Sequence, residues 1–123
     1  MTDTRSPDAG AKVLLRGIHL TLTDALRDTL RGKAERLLRH EPRIDRIRID
    51  LEHDSTRGRA VFIAKGHIEI GGPDILATVA SEDAYKAADL LIDKLDRLLG
   101  RRAELFKARR HRGASLREIE MAA

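Results

Sequence analysis

The sequence predicts an α+β domain in the order β-α-β-β-β-α, with a four-stranded mixed sheet and two helices packed on one face. Two segments, residues 24–39 and 81–102, repeat apolar residues at the three- and four-residue spacing of an amphipathic helix. Four shorter segments have the brief apolar runs or the alternation that is typical of strands. Because each helix has a single apolar face, we expect both helices to bury that face against the same side of the sheet.

Local signals predict the first strand and the first helix. Residues 13–18 begin with an apolar run and lead into a polar turn, which suits a buried strand. Thr23 is a suitable N-cap, and Asp24 places a negative charge in the first helical turn, where the helix dipole favours it. The helix ends before Pro42. Its apolar face consists of Leu26, Leu30, Ala34, Leu37 and Leu38.

Three further strands are predicted before the second helix. Ile47, Ile49 and Leu51 alternate with charged residues, as in a half-buried strand. A longer strand follows at residues 59–70, and a Gly-Gly-Pro-Asp turn leads from it to a fourth strand at residues 75–80. The first two strands are joined through a helix and should be parallel, whereas the later strands are joined by hairpins and should be antiparallel.

The second helix is predicted to begin with Ser81 as its cap and to run to about Arg102. Its apolar face consists of Ala84, Ala88, Leu91, Leu95, Leu98 and Leu99. Arg102 would lie on that same face, so the pattern weakens beyond Gly100. We therefore expect the end of this helix to project from the core.

Charges on the second helix are separated lengthwise by sign. Helical geometry places four basic residues within about 80° of one another, namely Lys86, Lys94, Arg97 and Arg101. The adjoining strip is acidic and consists of Asp89, Asp93 and Asp96. This separation indicates a polyanionic partner. The alternative interpretation is a solvated helix with side-chain pairs such as Asp93 with Arg97 and Asp89 with Lys94.

Composition limits the chemistry that the chain can perform. The absence of Cys excludes disulfides, thiolate nucleophiles and cysteine metal sites. The 5 histidines are scattered without metal-ligand spacing, and no serine lies in a G-x-S-x-G turn. We therefore predict no catalytic residue, no metal site and no cofactor, and we expect that the protein is not an enzyme.

The same composition bears on localisation. No apolar run approaches the roughly 18 residues that would span a bilayer, and the amino-terminal segment lacks the apolar core of a signal peptide. We expect a cytoplasmic protein that binds neither a membrane nor a small-molecule substrate.

One domain with two dissimilar ends is expected from the 123 residues. Residues 1–11 lack periodicity and are predicted to form a flexible arm, and residues 12–102 form the α+β domain. Residues 103–123 are predicted to be a basic helix extension and a flexible tail. Lys and Arg together number 24 against 20 acids, so the net charge of +4 is mild. The basic residues are concentrated, however, with seven of them and one acid between residues 97 and 112.

Two adjacent helices that each present Lys and Arg beside a buried stripe are suited to binding a phosphate backbone. The chain has one Tyr, two Phe and no Trp, so stacking on bases cannot dominate. Folded or double-stranded RNA is recognised mainly through shape and backbone, which requires few aromatic residues. Folded RNA is therefore the partner that the residues favour.

Two motifs then resemble a known family. The motifs are GIHLTLTDALR at residues 17–27 and the S-E-D-x-Y-x-A and K-L-x-R pattern that begins at Ser81. In both, the chain is similar to the short ribosome hibernation-promoting factors and ribosome-associated inhibitors of the sigma-54 modulation protein family. The resemblance covers about residues 13–102. It implies a fold similar to double-stranded RNA-binding domains. It also implies a function, namely occupying the decoding region of the small ribosomal subunit and holding ribosomes inactive during stress or stationary phase.

The resemblance implies RNA-binding positions at Lys33, Arg36, Lys94, Arg97 and Arg101. Helical geometry alone adds Arg39, Lys86 and Arg102 to the predicted interface. The expected partners are the small ribosomal subunit and its rRNA. Longer family members add a domain that pairs ribosomes, for which the residues after Arg102 leave no room, so we expect a monomer when the protein is free.

A second hypothesis belongs to a different class of function. The same basic surface could make the chain a protein-interaction module that regulates an acidic partner or a transcription complex. Binding that weakens steeply with salt favours the RNA hypothesis. Co-purification with a protein after nuclease treatment favours the second.

Overall fold

The structure, a computed structural model, describes residues 12–56 and 58–122, with side chains described as far as residue 105. Four strands and two helices follow one another in the predicted order, β-α-β-β-β-α. The elements, in chain order, are β1 (Val13–Ile18), α1 (Asp24–His40), β2 (Arg46–Asp54), β3 (Val61–Glu69), β4 (Ile75–Ser81) and α2 (Ala84–Ala122). The arm predicted at residues 1–11 lies outside the described residues. No helix among the described residues is long and apolar enough to cross a membrane.

The four strands form one mixed sheet in the spatial order β1-β2-β3-β4. β1 runs parallel to β2, with Val13 opposite Ile47 and Ile18 opposite Glu52. β2 and β3 are antiparallel, as are β3 and β4. The predicted mixed sheet is therefore confirmed, and β1 and β4 form its two edges.

In both the sheet and the helices, the buried residues are largely those that the sequence periodicity predicted. Ile47, Ile49 and Leu51 of β2 have no exposed surface, whereas Arg48 between them is exposed. The buried face of α1 consists of Leu26, Leu30, Ala34 and Leu37. The buried residues of α2 are Ala87, Ala88, Leu91, Leu95 and Leu99. All of these residues belong to one core, so both helices cover the same face of the sheet. Ala87 is an addition to the face predicted for α2.

Gly66 of β3 allows α2 to approach the sheet closely. A β-carbon at this position would lie 2.8 Å from Cδ1 of Leu95 and 3.2 Å from Cδ1 of Leu91. Both leucines are fully buried. The absence of a side chain in the strand is therefore a packing requirement of the helix above it.

The two helices begin at different kinds of cap. Thr23 caps α1 as predicted, since its hydroxyl oxygen accepts a hydrogen bond from the amide of Leu26 at 3.1 Å. The prediction of Ser81 as the cap of α2 is wrong. Asp83 takes that role, because its Oδ1 accepts from the amide of Tyr85 at 2.8 Å. Ser81 remains the last residue of β4, so its backbone belongs to the sheet.

Candidate nucleic-acid interface

The basic flank of α2 lies on the side of the helix that faces edge strand β4. Lys94 is half-buried there, and its Nζ donates a hydrogen bond to the carbonyl oxygen of Thr78 in β4 at 3.2 Å. Lys86, Arg97 and Arg101 lie along the same flank and are exposed. An edge strand covered by a lysine is also protected from pairing with another sheet.

The acidic strip of α2 faces α1 instead. Nζ of Lys33 in α1 lies 2.5 Å from Oδ1 of Asp89, which makes an ion pair between the two helices. Because Asp89 belongs to the strip with Asp93 and Asp96, the contact locates that strip on the α1 side of α2. The basic residues of the two helices therefore do not form one continuous surface. Carboxylates lie between the Lys33 flank of α1 and the basic flank of α2.

Neither side-chain pair of the alternative interpretation forms. Asp89 pairs with Lys33 instead of Lys94. Arg97 approaches the backbone carbonyl of Asp93, with Nε at 3.5 Å, and makes no ion pair with its carboxylate. Arg101 and Lys86 make no ion pair or side-chain hydrogen bond within the described part of the chain. Most of the positive charge on this flank is therefore not neutralised by the acids that the structure describes.

The predicted positions on α1 occupy two orientations. Lys33 and Arg36 lie on the flank that faces α2, and Arg36 is exposed. Arg39 is also exposed, in the last turn of the helix. Arg36 and Arg39 make no ion pair among residues 12–56 and 58–105. α1 therefore contributes two unpaired guanidinium groups and one lysine that already has an acidic partner.

Residues 13–106 match the family described as Sigma 54 modulation protein / S30EA ribosomal protein. This chain belongs to that family. The resemblance drawn from the two sequence motifs is confirmed, and the match ends at residue 106, slightly beyond the predicted extent of about residues 13–102.

Relatives of this S30EA family member include ribosome hibernation promoting factors from other bacteria. A ribosome hibernation promoting factor of Azotobacter vinelandii is 35% identical over 88 residues, which are 72% of this chain and 78% of that protein. The protein of the same name from Escherichia coli K12 is 27% identical over 93 residues, covering 76% of this chain and 94% of the relative.

Two solved structures are similar to the fold of the chain. A ribosomal subunit interface protein from Coxiella burnetii superposes with a TM-score of 0.67 at 25% identity, over 75% of this chain and 97% of the other. The amino-terminal domain of Thermus thermophilus Protein Y gives a TM-score of 0.61 at 25% identity, over 71% and 92% of the two chains. The β-α-β-β-β-α arrangement is thus shared with other proteins of this kind.

Arg102 differs from the other predicted positions of this S30EA family member. Its guanidinium is half-buried and donates to the carbonyl oxygens of Pro73 and Gly71, in the turn between β3 and β4. The other guanidinium groups of the predicted interface point to solvent or approach a carbonyl of their own helix. Arg102 therefore has protein partners that the helical pattern alone did not reveal.

Arg31 is a cationic residue that the predicted interface omitted. Nη1 of Arg31 is buried and has no hydrogen-bond partner within the described residues, although other atoms of the side chain reach the surface. Native proteins leave few such groups unsatisfied. Its position on the flank of α1 that is turned away from α2 was evident from the helical pattern, but its burial was not.

The outer face of the sheet also carries cations, but acids accompany them. Arg16 lies 3.0 Å from Asp50, and the hydrogen bond and charge of that carboxylate raise the pKa of Arg16. Arg48 pairs with Glu69 at 3.0 Å. His67 lies 2.7 Å from Asp74. This face therefore combines both signs of charge, unlike the basic flank of α2.

Titratable groups do not gather into a reactive centre in the described part of the chain. No group of three or more His, Cys, Asp or Glu side chains there could hold a metal ion. The predicted absence of a metal, a cofactor and catalytic residues remains a prediction. What the site offers chemically is a set of long cationic side chains spaced along two helices, which can contact anionic groups without reading their sequence.

Proposed function

We propose that this protein binds the small ribosomal subunit through contacts between its helices and rRNA phosphates, and that it thereby holds ribosomes inactive. The observation that carries the proposal is the row of exposed cations on α2, chiefly Lys86, Arg97 and Arg101, which have no acidic partner among the described residues. The names of the relatives, hibernation promoting factor and subunit interface protein, support the choice of the ribosome as the polyanion.

The mechanism is steric occupation guided by electrostatics. Lys and Arg side chains on both helices neutralise backbone phosphates and release counterions, which supplies affinity without base readout. The rigid sheet holds the two helices in a constant relative position, so the contacts are matched to the shape of a folded RNA. Bound in the decoding region, the domain would occupy space that mRNA and tRNA need, and no chemical step is required. This proposal locates the protein in the cytoplasm.

Sedimentation tests the proposal directly. The protein should co-sediment with small subunits or whole ribosomes at low salt and should inhibit cell-free translation when added in excess over ribosomes. Six or more phosphate contacts would reduce the affinity about a thousandfold between 50 and 200 mM salt on the duplex-DNA scale. A protein that stays at the top of the gradient at 50 mM salt contradicts the proposal.

The protein-interaction hypothesis is tested in the same experiment. If ribosomes are digested with nuclease before centrifugation and the protein remains bound to a protein component, with an affinity that barely changes with salt, the partner is a protein. RNA binding instead predicts loss of the complex upon digestion. The unpaired cations of the described basic flank would suit either polyanion, so the nuclease and salt results decide between the two partners.

We also propose that the free protein is a monomer. The apolar faces of both helices are buried against the sheet, and the large apolar residues that are exposed in the described part of the chain are divided among β1, β4 and α2. These residues are Leu14, Leu76, Tyr85, Leu90 and Leu105. Light scattering at micromolar concentration should give the mass of one chain, and a dimer would contradict this part of the proposal.

A further inference from the structure

Arg102 lies on the face of α2 that is buried along most of the domain. It follows Leu95 by two helical turns and therefore points towards the sheet side of the helix. At this level the helix has passed the strands and lies over the turn between β3 and β4. A charged side chain is tolerated here because the turn offers it polar partners in place of apolar ones.

The turn presents two acceptors to the guanidinium. One terminal nitrogen of Arg102 donates to the carbonyl oxygen of Pro73, and the other donates to the carbonyl oxygen of Gly71. A guanidinium is planar and holds its donors in a rigid fork, so two bonds fix its orientation as well as its position. A lysine could donate to two carbonyls only from one freely rotating nitrogen, so it would not fix the orientation in the same way.

Gly72 makes room for the side chain. Its φ of +78° is one that residues with a side chain rarely adopt, and a β-carbon there would lie 2.9 Å from a terminal nitrogen of Arg102. The turn is therefore shaped to receive the guanidinium at its backbone. This contact links the β3–β4 turn to a helix residue that lies far from it in sequence.

The contact occurs where α2 leaves the core. Leu99 is still buried, whereas Gly100 is exposed and Glu104 and Leu105 are exposed beyond it. Glycine is a weaker helix former than alanine. Arg102 follows this weak point, and among the described side chains it is the last on α2 with a hydrogen bond to the sheet domain.

We infer that Arg102 is a positioning residue whose guanidinium clamps α2 to the β3–β4 turn and fixes the direction in which the rest of the helix leaves the domain. The inference rests on the proposed RNA-binding function, because the segment being directed carries the basic residues between 101 and 112. Arg101 would then meet the RNA, whereas Arg102 would not contact phosphate.

Hydrogen exchange on the free protein tests the clamp without any ribosome. Arg102→Gln should accelerate amide exchange in α2 beyond residue 100 by about tenfold, if opening of the clamp governs local protection. The melting temperature of the domain should not change, since the clamp lies outside the core. Gly72→Ala should also accelerate exchange, because its β-carbon would crowd the guanidinium and the φ of +78° would strain the turn that holds it. Arg101→Gln is the matched control and should leave exchange unaltered.

Binding to purified small subunits at several salt concentrations tests the consequence. If only a third to a tenth of the Arg102→Gln molecules hold the extension in the productive direction, the affinity falls by roughly threefold to tenfold. The slope of log affinity against log salt should not change. Arg101→Gln should instead reduce that slope by about 0.7 to 0.9, because it removes a phosphate contact. Adding Gly100→Ala to Arg102→Gln should restore much of the affinity by stiffening the helix.

The outcomes separate this inference from the proposed function. If Arg102→Gln reduces the salt slope as Arg101→Gln does, Arg102 contacts phosphate and the inference is wrong. Unchanged hydrogen exchange in both Arg102→Gln and Gly72→Ala also overturns it. If the wild-type protein does not bind ribosomes, the proposed function fails, while faster exchange in the two variants would still establish the clamp.

Discussion

The helix layer and the outer face of the sheet both carry arginines and carboxylates, but the two surfaces arrange them differently. On the sheet, Arg16 lies opposite Asp50 in the strand register, and the two side chains pair at 3.0 Å. On α2, Arg97 and Arg101 have no carboxylate partner among the described residues, because the acidic strip is turned towards α1. The sheet neutralises much of its charge internally, whereas the basic flank of α2 does not.

This difference indicates that pairing, rather than the number of charged residues, distinguishes a binding surface. An arginine already bonded to a carboxylate must lose that partner before it can bind a phosphate, so its net contribution to affinity is small. An exposed unpaired arginine has no such cost. The unpaired flank of α2 is therefore the better candidate for RNA, and the sheet face serves as an internal control of similar composition.

Neutralising three cations on each surface should give the largest contrast. The triple variant Lys94→Gln, Arg97→Gln and Arg101→Gln should bind small subunits roughly fifty- to two-hundredfold more weakly at 0.15 M salt, from the loss of three phosphate contacts. Its melting temperature should change little, since Arg97 and Arg101 are exposed and half-buried Lys94 loses only one hydrogen bond to Thr78. Affinity can be measured by filter binding or by sedimentation of titrated mixtures.

The matched control is a triple variant on the outer face of the sheet, Arg16→Gln, Arg48→Gln and Lys65→Gln, which changes the net charge by the same amount. Lys65 is exposed on β3 opposite Asp50. This variant should bind within about threefold of the wild type, since long-range attraction is largely screened at this ionic strength. Equal losses from the two triple variants would show that overall charge, and not the unpaired flank of α2, governs binding.

Releasing Lys33 should have a smaller and opposite effect. Asp89→Asn removes its acidic partner, and a lysine free to meet one phosphate would strengthen binding by about fourfold at 0.15 M salt. Asp93→Asn makes the same change of charge on the same strip, but no described ion pair is lost. It should therefore strengthen binding less. If both variants bind equally, the pair between Lys33 and Asp89 does not restrain the lysine.

Breaking an ion pair on the sheet should alter stability slightly and RNA binding hardly at all. Asp50→Asn leaves Arg16 without its partner at 3.0 Å, which should reduce the free energy of unfolding only slightly, because an exposed ion pair is screened by solvent. Urea denaturation measures this change. The variant also frees a cation on the sheet, so a marked gain in ribosome affinity would identify the sheet as part of the interface.

The smallest expected effect concerns Glu41, which lies just after α1 and outside both surfaces. The hydrogen bond from Arg43 lowers the pKa of the Glu41 carboxyl group. A lowered folded-state pKa adds stability above the unfolded pKa, near 4.3, and that stability is lost as the pH falls through the folded value. Between pH 7 and pH 3 the wild type should therefore lose slightly more stability than Glu41→Gln. An identical loss in both proteins would show that this pair is not coupled to folding.

Much of the fold could be predicted from local sequence signals. The alternation of Ile47, Ile49 and Leu51 with charged residues predicted which face of β2 is buried, and the spacing of leucines did the same for both helices. The prediction failed at Ser81. This residue has a side chain suited to capping, but it is the last residue of β4, and Asp83 caps α2 instead. Local preferences cannot show which of two adjacent elements a boundary residue joins.

The candidate interface was predictable only in part. Which residues share a flank of α2 follows from helical periodicity, so the sequence by itself determined that acids and bases are separated along this helix. Only the tertiary structure decided that the acidic strip faces Lys33, that the basic flank faces β4, and that Arg102 meets the β3–β4 turn. The physical reason is the sequence separation of the interacting residues. Helical periodicity relates residues that are close in the chain, whereas these ion pairs and hydrogen bonds join residues that become neighbours only when the helices pack on the sheet.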